Sequence, residues 1–382
     1  MRQNLPGFVL VSLLLTLGSF ASADLAPSAM LTVTAPAVQP AGSPVILNLQ
    51  VYNNGFNSIG YWCGGPGDYP DAQDFIAIVA TKNGPQTTRS EVKLANGQQH
   101  TGPEGRTRWI VPGQLMRVPA ALPPMEVGTY EIDVRCEADG PRQDDVIRKV
   151  IWPAMHALKP LRIEVRDDRQ LADQRDHEVI AGVRSASAFS NFLAATYPRP
   201  AVKNALAEDL MSPNPITVER ALDGLWLGDP VEEADVPLVA KAIQQHLKPP
   251  DDSVDYAMME RLIRSLGHNR STTAIEAVAK AAAARTGRVH DIAVASLAKM
   301  RYPTSIARRP TPLPPEQYDQ NAIRALIKLS RSMGAPERKL AFALLAEYPK
   351  SPEAAAAIRY GTTDPDPQVQ EVARQSLNHI TP

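Results

Sequence analysis

The chain uses one line of sequence twice, and that repetition constrains its fold more than any other feature. "VHDIAVASLAKM" begins at Val289 and "VQEVARQSLNHI" begins at Val369; both read V-x-x-(I/V)-A-x-x-S-L-x-x-(M/I). The offset, 369 − 289 = 80 residues, is two units of forty. Related lines start at Glu337 ("ERKLAFALLAEY"), Asp255 ("DYAMMERLIRSL") and Val218 ("VERALDGLW"). The starts 218, 255, 289, 337 and 369 are separated by 37, 34, 48 and 32 residues. In the last copy Val369, Val372, Ala373, Leu377 and Ile380 share one helical face, and Glu371, Arg374, Gln375 and Asn378 lie opposite. Asp366 suits an N-cap and Pro367 a first helical turn.

Each line has a second helical stretch just before it: "AVKNALAEDLM", "ADVPLVAKAIQQHL", "TTAIEAVAKAAAA", "QNAIRALIKLSRSM" and "SPEAAAAIRYG". Five helix pairs at this period predict an α-solenoid. The final line, Asp-x-Asp-x-x-Val followed by Ala and Leu at helical spacing, resembles the second helix of HEAT-type repeats, over residues 200–382. That resemblance implies a long exposed surface suited to holding a protein or peptide. The longest gap contains "RYPTSIARRPTPLPPEQY", Arg301–Tyr318, with five prolines, which reads as an extended loop. Arg301, Arg308 and Arg309 in it are candidate partner contacts, because arginine is enriched in interface hot spots.

Before residue 168 the pattern has period two. "PVILNLQVYNNG" places Val45, Leu47, Leu49 and Val51 on one face and then turns at Asn53-Asn54-Gly55. "FIAIVATKNG" repeats the device with Asn83-Gly84. "GTYEIDVRCEADG" sends Tyr130, Ile132, Val134 and Cys136 inward; "VIRKVIW" and "LRIEV" read as closing strands. Short strands without helical period between them predict an antiparallel β-sandwich. "VPGQLMRVPAALPPMEVGTYEIDV" resembles the ending of immunoglobulin-like domains of exported bacterial proteins, a layout shared by a bacterial proteinase-inhibitor family.

The cysteines are two, Cys63 and Cys136. An oxidising compartment would favour a disulfide between them; two separate buried thiols are the other reading. "CGGPGDYPDAQDF" carries Asp68, Asp71 and Asp74 at every third position. Hard cations want several oxygens, but turns use the same residues and the spacing matches no cation loop, so no metal or other cofactor is expected.

The first residues read as an export signal: Arg2, the apolar run "FVLVSLLLTL" (Phe8–Leu17), and the small-x-small site Ala21–Ala23. The run is too short to span a membrane, so the alternative to cleavage is an uncleaved anchor. The expected organisation is a signal peptide over 1–23, the sandwich over 24–167 and the helical repeats over 168–382, in a periplasmic or secreted protein. Neither part is basic: 14 Lys+Arg stand against 15 Asp+Glu before residue 168, and 26 against 26 from there on. That excludes the electrostatic footprint of a nucleic-acid partner. Motifs for zinc proteases, serine hydrolases, phosphate loops and paired Cys-x-x-Cys are missing from the sequence, and one His177-Glu178 cannot build a repeat-borne iron site. The leading expectation is a non-enzymatic exported scaffold whose helical array engages another envelope protein. An inhibitor or ligand-binding module in the sandwich, and an enzyme with dispersed residues, are the alternatives.

Overall fold

The computed structural model describes residues 28–63, 72, 75–83, 86–96, 106–136, 153–226, 231–247, 255–267, 269, 271–284, 287–301 and 315–380. The chain divides into two compact units, Met1–Arg175 and Asp176–Pro382.

Among the described residues the first unit holds eleven strands: β1 Ala29–Thr34, β2 Val38–Pro40, β3 Val45–Asn53, β4 Ile59–Cys63, β5 Phe75–Asn83, β6 Gln86–Lys93, β7 Arg106–Ile110, β8 Leu115–Leu122, β9 Gly128–Cys136, β10 Met155–His156 and β11 Leu161–Arg166. The alternation along β3 and β9 follows the pleat: Val45, Leu47, Leu49 and Val51, and Tyr130, Ile132, Val134 and Cys136, are all buried in one apolar core. Tyr130 extends that core and keeps a polar end, its hydroxyl donating to the Glu126 carbonyl at 2.9 Å. This is a tyrosine corner, and it fixes where the chain turns into β9. Burial, aided by Glu126, pushes the Tyr130 phenol above its ordinary pKa.

The expected antiparallel immunoglobulin-like sandwich is overturned. The strands form three sheets, ordered β1-β3-β8, β2-β11-β9-β5-β6 with β10 on β9, and β4-β7. The largest sheet is mixed, because β2 runs parallel to β11, with Val38 opposite Glu164 and Pro40 opposite Arg166. The cause lies between β1 and β2. Pro36 has no N–H to continue the β1 ladder, so the chain leaves one sheet and joins another. The Gln39 side chain holds the crossover by donating to the Pro36 carbonyl at 3.1 Å. The expected strand "VIRKVIW" lies outside the described residues.

Twelve α-helices follow: α1 Arg169–Arg184, α2 Ala188–Thr196, α3 Pro200–Asp209, α4 Pro215–Trp226, α5 Val236–His246, α6 Tyr256–Leu266, α7 Thr272–Ala284, α8 Arg288–Arg301, α9 Pro315–Leu329, α10 Ala335–Leu345, α11 Pro352–Gly361 and α12 Pro367–Ile380. Caps that the sequence announces are in place. The Asp255 carboxylate accepts from the Met258 N–H at 2.9 Å, and the Asp366 carboxylate from the N–H groups of Gln368 and Val369 at 2.8 and 3.2 Å.

The expectation of a HEAT-like solenoid of five helix pairs is also overturned. Two helices, α1 and α2, precede the region read as repeats, giving twelve among the described residues rather than ten. The packing is uneven as well: α7 touches α5, α6, α8, α9 and α10. The sequence of α7 explains this, since "TTAIEAVAKAAAA" buries alanines on several sides and lets neighbouring backbones come close. In the repeated line, Val289, Ala293, Val369 and Ala373 are buried, whereas Ile292 and Leu377 are only half-buried. The segment Arg301–Tyr318 is not one extended loop: Arg301 ends α8, and Pro315–Tyr318 form the first turn of α9, where proline at the first helical position is favourable.

Candidate interaction surface

β3 ends on a polar residue at an inward position. Asn53 is fully buried, where the alternation calls for an apolar side chain, so its polar atoms need partners. Its side-chain amide donates to the carbonyls of Asn57 and Ile110, both at 2.8 Å, and its side-chain oxygen accepts from the Gly55 N–H at 3.0 Å. Its backbone adds two more bonds: its N–H donates to the Gln114 carbonyl at 3.0 Å, and its carbonyl accepts from the Gly113 N–H at 2.8 Å. Gly113 has φ of 80°, the left-handed backbone that the turn after Pro112 requires. Asn53 therefore ties together the end of β3, the turn after it, the end of β7 and the turn leading into β8. Ser28, just before β1, is joined to the same place. Its carbonyl accepts from the Gly55 N–H at 3.1 Å and its hydroxyl donates to the Asn54 side chain at 2.9 Å.

Each tethered segment presents a large apolar side chain to solvent. Tyr52 precedes Asn53, Phe56 lies between Gly55 and Asn57, Trp109 and Val111 flank Ile110, and Leu115 follows Gln114. Each is one residue, about 3.8 Å along the chain, from a group bonded to Asn53. Phe56 is 81% exposed, Trp109 58% and Leu115 51%. Met30, Tyr52 and Leu115 also stand directly opposite one another across β1, β3 and β8, close enough to form one apolar row. Charge stands at the border of this set: Arg108 precedes Trp109 and Arg117 follows Met116. No Asp, Glu, Lys, Arg or His occurs from Leu25 to Gly67, or from Trp109 to Met116. We call this end of the β unit the apex.

The helical unit offers a different surface. Its charges are matched between helices two apart in the chain. Arg261 of α6 pairs with Asp223 and Glu219 of α4. Arg288 of α8 pairs with Glu260 of α6 at 3.1 Å. The buried Glu276 of α7 receives Lys280 and Lys328, each at 2.7 Å. Burial pushes the Glu276 carboxyl up, but the two lysines outweigh it and hold it below the usual carboxylate range. Among the described residues no group of three or more His, Cys, Asp or Glu could hold a metal ion. No described helix is long and apolar enough to cross a membrane.

The residues singled out from sequence are not brought together. Cys136 is buried on β9, opposite Phe75 of β5 and Met155 of β10. Cys63 is the last residue of β4, opposite Arg106, and its side chain lies outside the described residues, as does the expected bridge. Arg301 ends α8 with its side chain outside the description, and Arg308, Arg309, Asp68, Asp71 and Asp74 lie outside it altogether. Sequence reasoning missed the apex, although a signal was there. Met30-Leu31, Val51-Tyr52, Trp109-Ile110-Val111 and Leu115-Met116 put apolar residues on both faces of a strand end.

No protein-family model matches the chain, and no curated protein matches it. Among solved structures, it is similar to the CARDB domain of a Pyrococcus furiosus protein in complex with di-metal ions, at 12% identity over 37% of this chain and 89% of that one, with a TM-score of 0.19. It is similar to AvmM, which catalyses macrocyclization in alchivemycin A biosynthesis, at 14% identity over 36% of this chain and 88% of that one, with a TM-score of 0.18. It is also similar to native alpha-2-macroglobulin from Escherichia coli, at 11% identity over 93% of this chain and 66% of that one, with a TM-score of 0.19. Likenesses at these scores carry no conclusion about fold or function.

Proposed function

We propose that this chain is an exported, non-enzymatic binding protein of the cell envelope that makes contact through the apex of its β unit. One observation carries the reading: exposed apolar side chains on separate segments converge on the buried Asn53, with charge only at their border, at Arg108 and Arg117. Interface cores are depleted in charge and enriched in aromatic residues, and tryptophan and tyrosine lead among hot spots. Exposed apolar residues gathered in one place mark a contact surface, whereas scattered ones mark nothing. The export signal read at Phe8–Leu17 supports an envelope location for the contact.

The test is photo-cross-linking in living cells. A benzophenone amino acid replaces Trp109 in one strain and Val127 in another. Val127 is 63% exposed but follows Leu122, which stands opposite Val45 at the far end of β3. The apex probe is expected to give a discrete adduct and the Val127 probe none. Equal labelling at both positions, or none at Trp109, rejects the reading.

A further inference from the structure

We infer that Asn54–Gly55 is a self-modifying site, where the chain converts its own asparagine to aspartate or isoaspartate, and that Ser28 keeps the site closed. Two features make the pair reactive. Gly55 has no side chain to hinder attack by its backbone nitrogen, and Asn54 is exposed, so water reaches its carboxamide. Asn96 also precedes a glycine, but it is buried and its side-chain oxygen accepts from the Ala72 N–H at 3.2 Å. The fold leaves no room to replace Gly55. A Cβ there would meet the Ser28 nitrogen at 2.9 Å and its carbonyl oxygen at 3.2 Å. The residue that makes the pair labile is therefore the one that lets the chain before β1 pack against the turn.

The conversion needs water and nothing else. The Gly55 nitrogen attacks Asn54 Cγ. The new N–C bond forms, the Cγ–Nδ2 bond breaks, and the side-chain amide leaves as ammonia with the proton that the Gly55 nitrogen gives up. Water then adds across one of the two bonds between the carbonyl carbons of this five-membered imide and its nitrogen. Opening at Cγ leaves aspartate. Opening at the main-chain carbonyl leaves isoaspartate, with the side-chain carbon now inside the backbone.

In the native structure the reacting groups are held. The Gly55 N–H, whose proton must leave, donates to the Ser28 carbonyl at 3.1 Å and to the Asn53 side-chain oxygen at 3.0 Å. The Asn54 side-chain oxygen accepts from the Ser28 hydroxyl at 2.9 Å, so the carboxamide does not turn freely. A donor on that oxygen favours attack only when the nitrogen is free, and the carbonyl of the same serine holds the nitrogen. Conversion therefore waits for Ser28 to let go. It is also one-way: the extra backbone carbon of isoaspartate shifts the Gly55 N–H away from both acceptors, and Ser28 does not settle back.

The experiment incubates the full chain at neutral and mildly alkaline pH, with and without urea. Peptide mass spectrometry follows position 54, and an isoaspartate methyltransferase labels the isoaspartate form. In urea Asn54 is expected to convert, mainly to isoaspartate. In the folded protein conversion should be roughly ten- to hundredfold slower, since two or three hydrogen bonds must open first. That factor should equal the protection of the Gly55 N–H against amide exchange, because both reactions begin with loss of the same proton. Ser28→Ala, a change on an exposed residue, should speed exchange and conversion together while circular dichroism stays as in wild type. Asn54→Gln should stop conversion, because the longer side chain closes its ring far more slowly. Protein modified at Asn54 should be cut faster before Ala29. The inference is overturned by equal rates in folded and unfolded protein, by no conversion in urea, by a Ser28→Ala variant that exchanges faster yet converts more slowly, or by modified protein that is cut at the wild-type rate. A missing adduct at Trp109 would reject the binding reading and leave this site untouched.

Discussion

The side-chain amide of Asn53 donates a 2.8 Å hydrogen bond to the carbonyl of Ile110, 57 residues further along the chain. One buried amide thus joins two strands that belong to different sheets. Asn53→Ala removes the donor to the carbonyls of Ile110 and Asn57, while the Gly55 N–H keeps its bond to the Ser28 carbonyl. At about 1 kcal/mol or more for each group left unsatisfied, the expected cost is about 2–4 kcal/mol. Amide exchange localises it. Protection of the Gly113 N–H, which is bonded to the Asn53 carbonyl, should fall sharply, while the Val369 N–H in α12 should not change. Unaltered protection at Gly113 would remove Asn53 from its place as the tie of the apex.

Gly55 is held to Ser28 at close range. A Cβ on Gly55 would lie 2.9 Å from the Ser28 nitrogen and 3.2 Å from its carbonyl oxygen. Both are backbone atoms and cannot swing aside. Gly55→Ala is expected to push the chain before β1 away, at a cost of about 1–3 kcal/mol. Limited proteolysis reads the change, because cleavage before Ala29 should speed up while the rest of the chain stays resistant. A cleavage pattern identical to wild type would mean that Ser28 is not held there.

How much of this was legible in the sequence depends on the range of the interaction. The alternation in β3 and β9 and the caps at Asp255 and Asp366 are local, and the structure has them. Crossing from β1 to β2 turns on Pro36, a residue that reads equally well as an ordinary turn. Its parallel partner is β11, more than 120 residues away, and no local pattern announces that pairing. The helical lines were visible as lines, but equal spacing in sequence does not dictate equal packing. Small alanine side chains on several sides of α7 let more neighbours reach it than a regular array allows. The apex was hidden for a related reason. Phe56 and Trp109 lie 53 residues apart and meet only because Asn53 bonds to both neighbourhoods, and Asn53 itself looks like a turn residue.

Gly224 of α4 gives a test of helix packing free of any charge. A Cβ there would lie 2.7 Å from Val183 Cγ1 and 2.9 Å from Leu206 Cδ1, both on buried side chains. Alanine favours the helix by about 1 kcal/mol over glycine, but overpacking a filled core costs about 1–3 kcal/mol. Gly224→Ala should therefore destabilise the helical unit or at best leave it level. Adding Val183→Ala removes the nearest of these obstructions and leaves only Leu206, so the double variant should be more stable than the sum of the two single changes. Strict additivity in denaturant unfolding would show that α4 and α1 do not meet at this point.

The last prediction concerns acid. The Asp364 carboxylate accepts from Arg338 Nε at 2.8 Å and Arg338 Nη2 at 2.9 Å, and both side chains are nearly buried. It accepts from the Asp366 N–H at 2.9 Å as well. Arg338 also donates to the carbonyls of Ser332 and Met333, at 3.1 and 2.9 Å, so the pair ties the turn before α10 to the turn before α12. The Arg338 bonds hold the Asp364 carboxyl below its ordinary pKa, although burial acts the other way. A lowered folded value means that the native state binds fewer protons than the unfolded one. Stability from this group is therefore complete above the unfolded value of about 3.9, and it is lost as pH falls through the lower folded value. Asp364→Asn should lower the unfolding free energy of the helical unit at pH 7 and flatten its fall below about pH 4. Arg338→Met should cost more, on the order of 3 kcal/mol, because it leaves a buried carboxylate without its cation. Urea unfolding from pH 7 down to pH 3 tests both. If Asp364→Asn matches wild type at pH 7 and keeps the same acid slope, the pair does not hold these two turns together.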